Sequence, residues 1–283
     1  MLEKLFKYDM KALSRVLVPL HIAALALAAV ACICGFVGFS MGEASMSSGS
    51  MSNAAELIAA AMLVALAFSV LGIFSATIAT IVVIIHRFYK NLFTDEGYLT
   101  LTLPVTANQI MLSKVLAGSL WLLIDALVVL ASAFAVSLAA TGFVNASIDS
   151  TLPYWMLSAA GGGMADGVHD WLTVLSGMAG AAIQGVMTLL VAYAAFALGA
   201  VLASRHKVAA GIGLYLAISW GIGLVGTVVN VLVASGLAFG TSPYSTSAAM
   251  TVTTGLGWAG SLCVAAGCYA LCVYLLDRKV NLS

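Results

Sequence analysis

HRFYKNLFTDEGYLTLTLPVTANQIMLSK, residues 86–114, interrupts a chain that is otherwise one apolar run after another. Two short helices can be read in it. Thr94 is a good N-cap for the first, Asp95 and Glu96 fall in the first turn where the helix dipole favours negative charge, and Pro104 ends it. Thr106 then caps a second helix, with Gln109 three residues on completing a capping box, and Lys114 sits where that helix would enter a bilayer. Tyr98, Leu99, Leu101 and Leu103 give the first helix an apolar contact surface beside its acidic start, which a soluble partner can grip.

Outward from this stretch the composition is decisive. The chain has 283 residues, 63% hydrophobic and 8% charged, with a mean hydropathy of +1.11. Soluble domains carry about 25% charged residues, so this chain cannot cover a water-facing surface and must be solvated by lipid. About 20 apolar residues cross the hydrocarbon core, and six runs are long enough: 16–39, 57–85, 115–140, 171–203, 208–233 and 255–276. The expected fold is an all-α integral membrane protein, a single transmembrane domain over 1–283.

Residues 2–15 read as an interfacial helix ahead of the first span. At 100° per residue Leu2, Leu5, Phe6, Met10, Ala12 and Leu13 gather on one side, and Lys4, Lys7, Lys11, Ser14 and Arg15 on the other; Asp9 is the one misplaced charge. The competing reading, the basic start of a signal peptide, fits less well, because the run from Val16 to Phe39 exceeds a typical apolar core of about 7–15 residues.

Orientation comes from the cations. All eleven Lys and Arg lie before the first span, in the 86–114 loop, in the 204–208 turn or in the tail, and the loops 40–56, 141–170 and 234–254 have none. The positive-inside rule then puts both termini and the 86–114 loop in the cytoplasm. The opposite loops carry only acids, Glu43, Glu56, Asp149, Asp166 and Asp170, and their apolar stretches 151–160 and 236–250 suggest short helices dipping into the outer interface.

Several motifs reduce to packing. Cys32, Cys34, Cys263, Cys268 and Cys272 fall within apolar runs, without disulfide or zinc spacing. Gly221-Ile-Gly223-Leu-Val-Gly226 matches a dinucleotide fingerprint as a string but has no preceding strand and no acid about 20 residues on. Close helix packing is the expectation there, and for the small residues Gly177, Ala181, Gly185 and Gly213, Ala217, Gly221. No Gly-Lys dipeptide occurs, so a Walker A loop is excluded. His169 beside Asp170 reads as a solvated loop pair, and Asn145-Ala-Ser147 is a glycosylation sequon by pattern alone. No catalytic or metal-ligating arrangement stands out.

Asp125 is different. It lies eleven residues past Lys114, about 16 Å along a helix, near the bilayer middle, where an acid must face protein or water or stay protonated. It reads either as a pathway residue or as a structural hydrogen-bond partner of Gln184, Asn230 or a Ser/Thr on another span. Gln184, mid-span in the fourth run, is a second pathway candidate, and His21 is expected to snorkel at the interface.

Arg87-Phe-Tyr-Lys90, then Asp95-Glu-Gly-Tyr-Leu99, then Leu103-Pro-Val-Thr106 and Lys114 before a span resemble the permease subunits of bacterial ABC exporters of the type 2 class. The layout of interfacial helix, six spans and short basic tail resembles them too. The resemblance implies that Thr94, Asp95, Glu96, Gly97, Tyr98, Leu99, Leu101, Leu103 and Pro104 form a cytosolic coupling helix gripped by separate ATPase subunits. It further implies a translocation pathway built by two permease subunits, as a homo- or heterodimer. ATP and Mg would be bound by the partner ATPase, with no cofactor and no enzymatic site in this chain, and with no nucleic-acid partner. The alternatives are a secondary transporter or channel using Asp125, and a non-transporting sensor or assembly subunit.

Overall fold

A computed structural model describes residues 2–48, 53–94, 105–141, 171–203, 205–238 and 243–278. Those residues form six helices: α1 (Leu2–Ser48), α2 (Asn53–Phe93), α3 (Ala107–Thr141), α4 (Trp171–Leu202), α5 (Lys207–Ala238) and α6 (Pro243–Arg278). Each is long and apolar enough to cross a membrane. The protein is an all-α, multi-pass membrane protein. The cause is general: in lipid a backbone must satisfy its own polar groups, and side chains such as Ile22, Phe74, Leu123 and Val225 face outward with no polar counterpart.

The helices overrun the apolar runs that announce them. Residues 2–15, read as a separate interfacial helix, continue without interruption into the rest of α1. Pro19 lies inside α1; it removes one backbone donor, yet the helix runs on through it. Residues 243–250, read as part of an outer loop, are the first turns of α6. The 151–160 stretch lies outside the described residues, as do His169, Asp170 and the Asn145 sequon.

The chain divides into two compact units. The first comprises Met1–Leu13, Ile84–Leu120 and Gly177–Ser283, and the second Ser14–Val83 and Trp121–Ser176.

In the first unit α4 forms the core. Met187 and the run from Leu189 to Ala195 are buried, because a helix rich in Ala and flanked by Leu, Val and Tyr can be approached from every side. Tyr193 stacks on Phe88 at the end of α2, with ring centroids 3.8 Å apart and planes 12° apart. Tyr89 meets Phe196 edge-on at 6.2 Å. Where α3 passes α4 the contact needs Gly118: a Cβ there would lie 2.8 Å from Leu189 Cδ2 and 3.0 Å from the Tyr193 hydroxyl.

In the second unit the buried positions of α1 are Leu17, His21, Ala24, Ala28 and Ala31, steps of four and three that keep one face of the helix inward. Ser69, Ile73 and Thr80 are the corresponding face of α2, and Trp121, Asp125 and Ser132 that of α3. Ser69 and Ser132 donate to the carbonyls of Ala65 and Val128, one turn back on their own helices. A hydroxyl that bonds its own helix costs little in lipid.

Candidate functional site

The start of α3 is built as its residues suggest. The Gln109 amide donates to Thr106 Oγ1 at 3.3 Å and the Thr106 amide to Gln109 Oε1 at 3.4 Å, a reciprocal capping box. Thr94, at the other end of the connection, donates its hydroxyl to the Lys90 carbonyl at 2.5 Å and so closes α2. The helix it is expected to cap, with Asp95, Glu96, Gly97, Tyr98, Leu99, Leu101, Leu103 and Pro104, lies outside the described residues.

One turn and a half past the capping box stands a charge cluster that the sequence only hinted at. Asp9, 8% exposed, accepts a hydrogen bond from Ser113 Oγ at 2.6 Å on Oδ2 and an ion pair from Lys114 Nζ on Oδ1. Both carboxylate oxygens are engaged, as a buried charge requires. The acid on the wrong side of an otherwise basic stripe was the available signal. Phe88, Arg87, Tyr193 and Lys114 surround the same spot, with a cavity of only about 10 Å³ among them. The Tyr193 hydroxyl reaches the Lys114 carbonyl at 3.5 Å. The cluster therefore fastens the start of α1 to the start of α3, and it is too tightly filled to hold a substrate.

Asp125, in the second unit, is 6% exposed. Its Oδ1 accepts from the Thr80 hydroxyl at 3.1 Å, the interhelical Ser/Thr bond that was one of the two readings of this acid. The same oxygen lies 3.3 Å from His21 Nε2. His21 does not snorkel: it is 7% exposed, its Nδ1 is 2.6 Å from the Leu17 carbonyl, and its ring faces Trp121 at 5.7 Å. The ring is held between a carbonyl of its own helix and the acid opposite. His21 and Thr80 carry no spacing that links them to Asp125 in sequence, whereas Trp121, four residues before it, shares its helix face.

Gln184, in the first unit, is exposed on α4, and its Oε1 accepts from Ser261 Oγ of α6 at 3.2 Å. The two border a cavity of about 710 Å³ between α4, α5 and α6, floored by Gly226, Gly257 and Gly260 and edged by Ile222 and Asn230. That volume is in the range of small-molecule sites. The glycines were expected to bring helices together, and here the structure differs. A Cβ at Gly185, Gly213, Gly221, Gly223 or Gly226 would meet nothing within 4 Å. Missing side chains on facing helices leave a groove there, which Ile218 and Val229 also line. Close approach happens instead at Gly199, where a Cβ would lie 2.5 Å from the Gly211 backbone nitrogen. Gly180 likewise lies under Trp258, its Cβ position 2.7 Å from the indole nitrogen.

Among the described residues no group of three or more His, Cys, Asp or Glu comes together. Cys34 and Cys272 are buried packing residues. Compared with protein-family models, with curated proteins and with solved structures, the chain matches none.

Proposed function

We propose that the chain is the membrane-spanning permease subunit of an ATP-driven ABC exporter of the type 2 class, working as a dimer with separate ATPase subunits. The observation that carries this reading is the joint between α2 and α3. A segment whose sequence resembles a coupling helix, residues 94–104, feeds a helix start that is capped at Thr106 and tied at Lys114 to Asp9. A soluble motor that displaces 94–104 would push on a stiff helix end rather than on slack chain. The Asp9 pair would pass the push to the start of α1.

In this reading the cationic loops and both termini face the cytoplasm and the chain resides in the plasma membrane. ATP and Mg belong to the partner subunits, because no Gly-Lys dipeptide is present to form a phosphate loop here. The groove near Gln184 supports an apolar or amphipathic cargo, since its walls are Ile, Val, Leu and Gly with a few amide and hydroxyl groups.

Affinity purification from native membranes tests the reading. A Walker-motif ATPase should co-purify and should be lost when Glu96 and Gly97 are replaced; recovery of no such protein would count against the exporter. The burial of Asp125 beside His21 favours a second reading, a secondary transporter or channel. Proton-gradient-driven uptake that Asp125→Asn abolishes would support it.

A further inference from the structure

His21 and Asp125, ionisable side chains of a kind that membrane-spanning helices rarely carry, meet Thr80 in the buried part of the second unit. Their hydrogen positions are constrained. A carbonyl oxygen only accepts, so the 2.6 Å contact between His21 Nδ1 and the Leu17 carbonyl requires a proton on Nδ1. That leaves Nε2, fully buried and 3.3 Å from Asp125 Oδ1 but off the line of a hydrogen bond, to be either a bare lone pair or an N–H. A bare nitrogen facing an ionised carboxylate would set two electron-rich atoms against each other and leave a net negative charge unbalanced inside the bilayer.

We propose that His21 and Asp125 form a proton-binding site that holds one exchangeable proton between them. It exists in two forms of equal net charge, imidazolium with carboxylate and imidazole with carboxylic acid. The step between them breaks the N–H bond at His21 Nε2 and makes an O–H bond at Asp125, with the electron pair returning to the nitrogen. A small rotation of either side chain brings the two atoms into line. Thr80 tracks the proton: its hydroxyl lies 3.1 Å from Asp125 Oδ1 and 3.1 Å from the Ala76 carbonyl. One O–H cannot serve both fully, so it turns to the carboxylate when that is ionised and to Ala76 when the acid is protonated. The Trp121 ring, 5.7 Å from the imidazole and tilted by 40°, offers its π electrons to the cationic form. The groups facing the pair are thus Leu17 on α1, Thr80 on α2 and Trp121 on α3; among the described residues no further titratable side chain lies within ion-pair distance of it.

The site goes beyond the exporter reading and is tested on the chain alone, in lipid nanodiscs without any ATPase, so failure of one does not carry over to the other. Nitrogen NMR of labelled histidine should show His21 with Nδ1 protonated throughout and a second proton shared with Asp125. The infrared band of a protonated carboxyl should rise in Thr80→Val, which removes the donor that stabilises the carboxylate. In Asp125→Asn the Nε2 proton should be lost while Nδ1 keeps its own. If that variant does not insert, Thr80→Val in the infrared and the wild-type NMR spectrum decide alone. A bare Nε2 in the wild type together with no protonated-carboxyl band attributable to Asp125 would overturn the proposal.

Discussion

Asp9 and Lys114 form a largely buried ion pair across 105 positions of sequence, and Ser113 completes the carboxylate's bonding beside it. Nothing local could bring these residues together. The pair is a charged bond that ties the start of α1 to α3 within the first unit, so its removal should be felt in stability.

Asp9→Asn or Lys114→Met removes one half of a largely buried ion pair, a change that costs about 3–5 kcal/mol. Either variant should lower the midpoint of thermal unfolding in detergent. The exchanged pair Asp9→Lys with Lys114→Asp should recover part of the loss; no recovery would mean that packing, not charge, is what the site supplies.

The glycines should divide sharply under substitution by alanine. At Gly199 the new Cβ would meet backbone atoms of Gly211, which cannot move aside, so this variant should unfold at lower temperature. At Gly213 nothing lies within 4 Å, and alanine should be neutral or stabilising by about 0.5–1 kcal/mol through helix propensity. Parallel melting curves check both.

Phe88→Ala removes the ring stacked on Tyr193 in the best-packed part of the first unit. A loss of about 3–5 kcal/mol is expected, with Phe88→Leu recovering most of it. Denaturant titration of the purified protein measures the difference.

Filling the groove should separate binding from folding. Gly226→Leu places a side chain where the wall is open and should leave the melting temperature nearly unchanged. Under the exporter reading it should reduce export of an apolar cargo while ATPase recruitment persists, which transport and co-purification assays read independently.

Membrane orientation can be checked in whole cells. A cysteine placed at Glu96 should react with an impermeant thiol reagent only after the cells are permeabilised. Labelling in intact cells would place the segment outside and remove the basis of the exporter reading.

Local features were legible in the sequence. Six apolar runs announce six helices, and the Thr106–Gln109 box could be read because its two members are three residues apart. The helix ends could not: no helix-breaking residue separates 2–15 from the apolar run behind it, so a boundary drawn from a change in polarity has no counterpart in α1. Side-chain partnerships were harder still. Asp9 was visible as an anomaly, but its partner on α3 was not; His21 looked like an interfacial residue until Asp125 faced it. A stripe of glycines has the same spacing whether it meets a neighbour, as Gly199 does, or borders a groove, as Gly226 does.

The backbone contact at Gly199 and Gly211 sits beside the turn that joins α4 to α5, whereas Gln184 and Asn230 lie several turns further along the same two helices. Gly199 meets the Gly211 backbone there and the Phe196 ring lies against Gly211, so the two helices are in close contact at the joined end. The groove opens toward the far end of the pair, where α6 closes its third side, so the divergence of α4 from α5 helps to set the girth of whatever the groove admits.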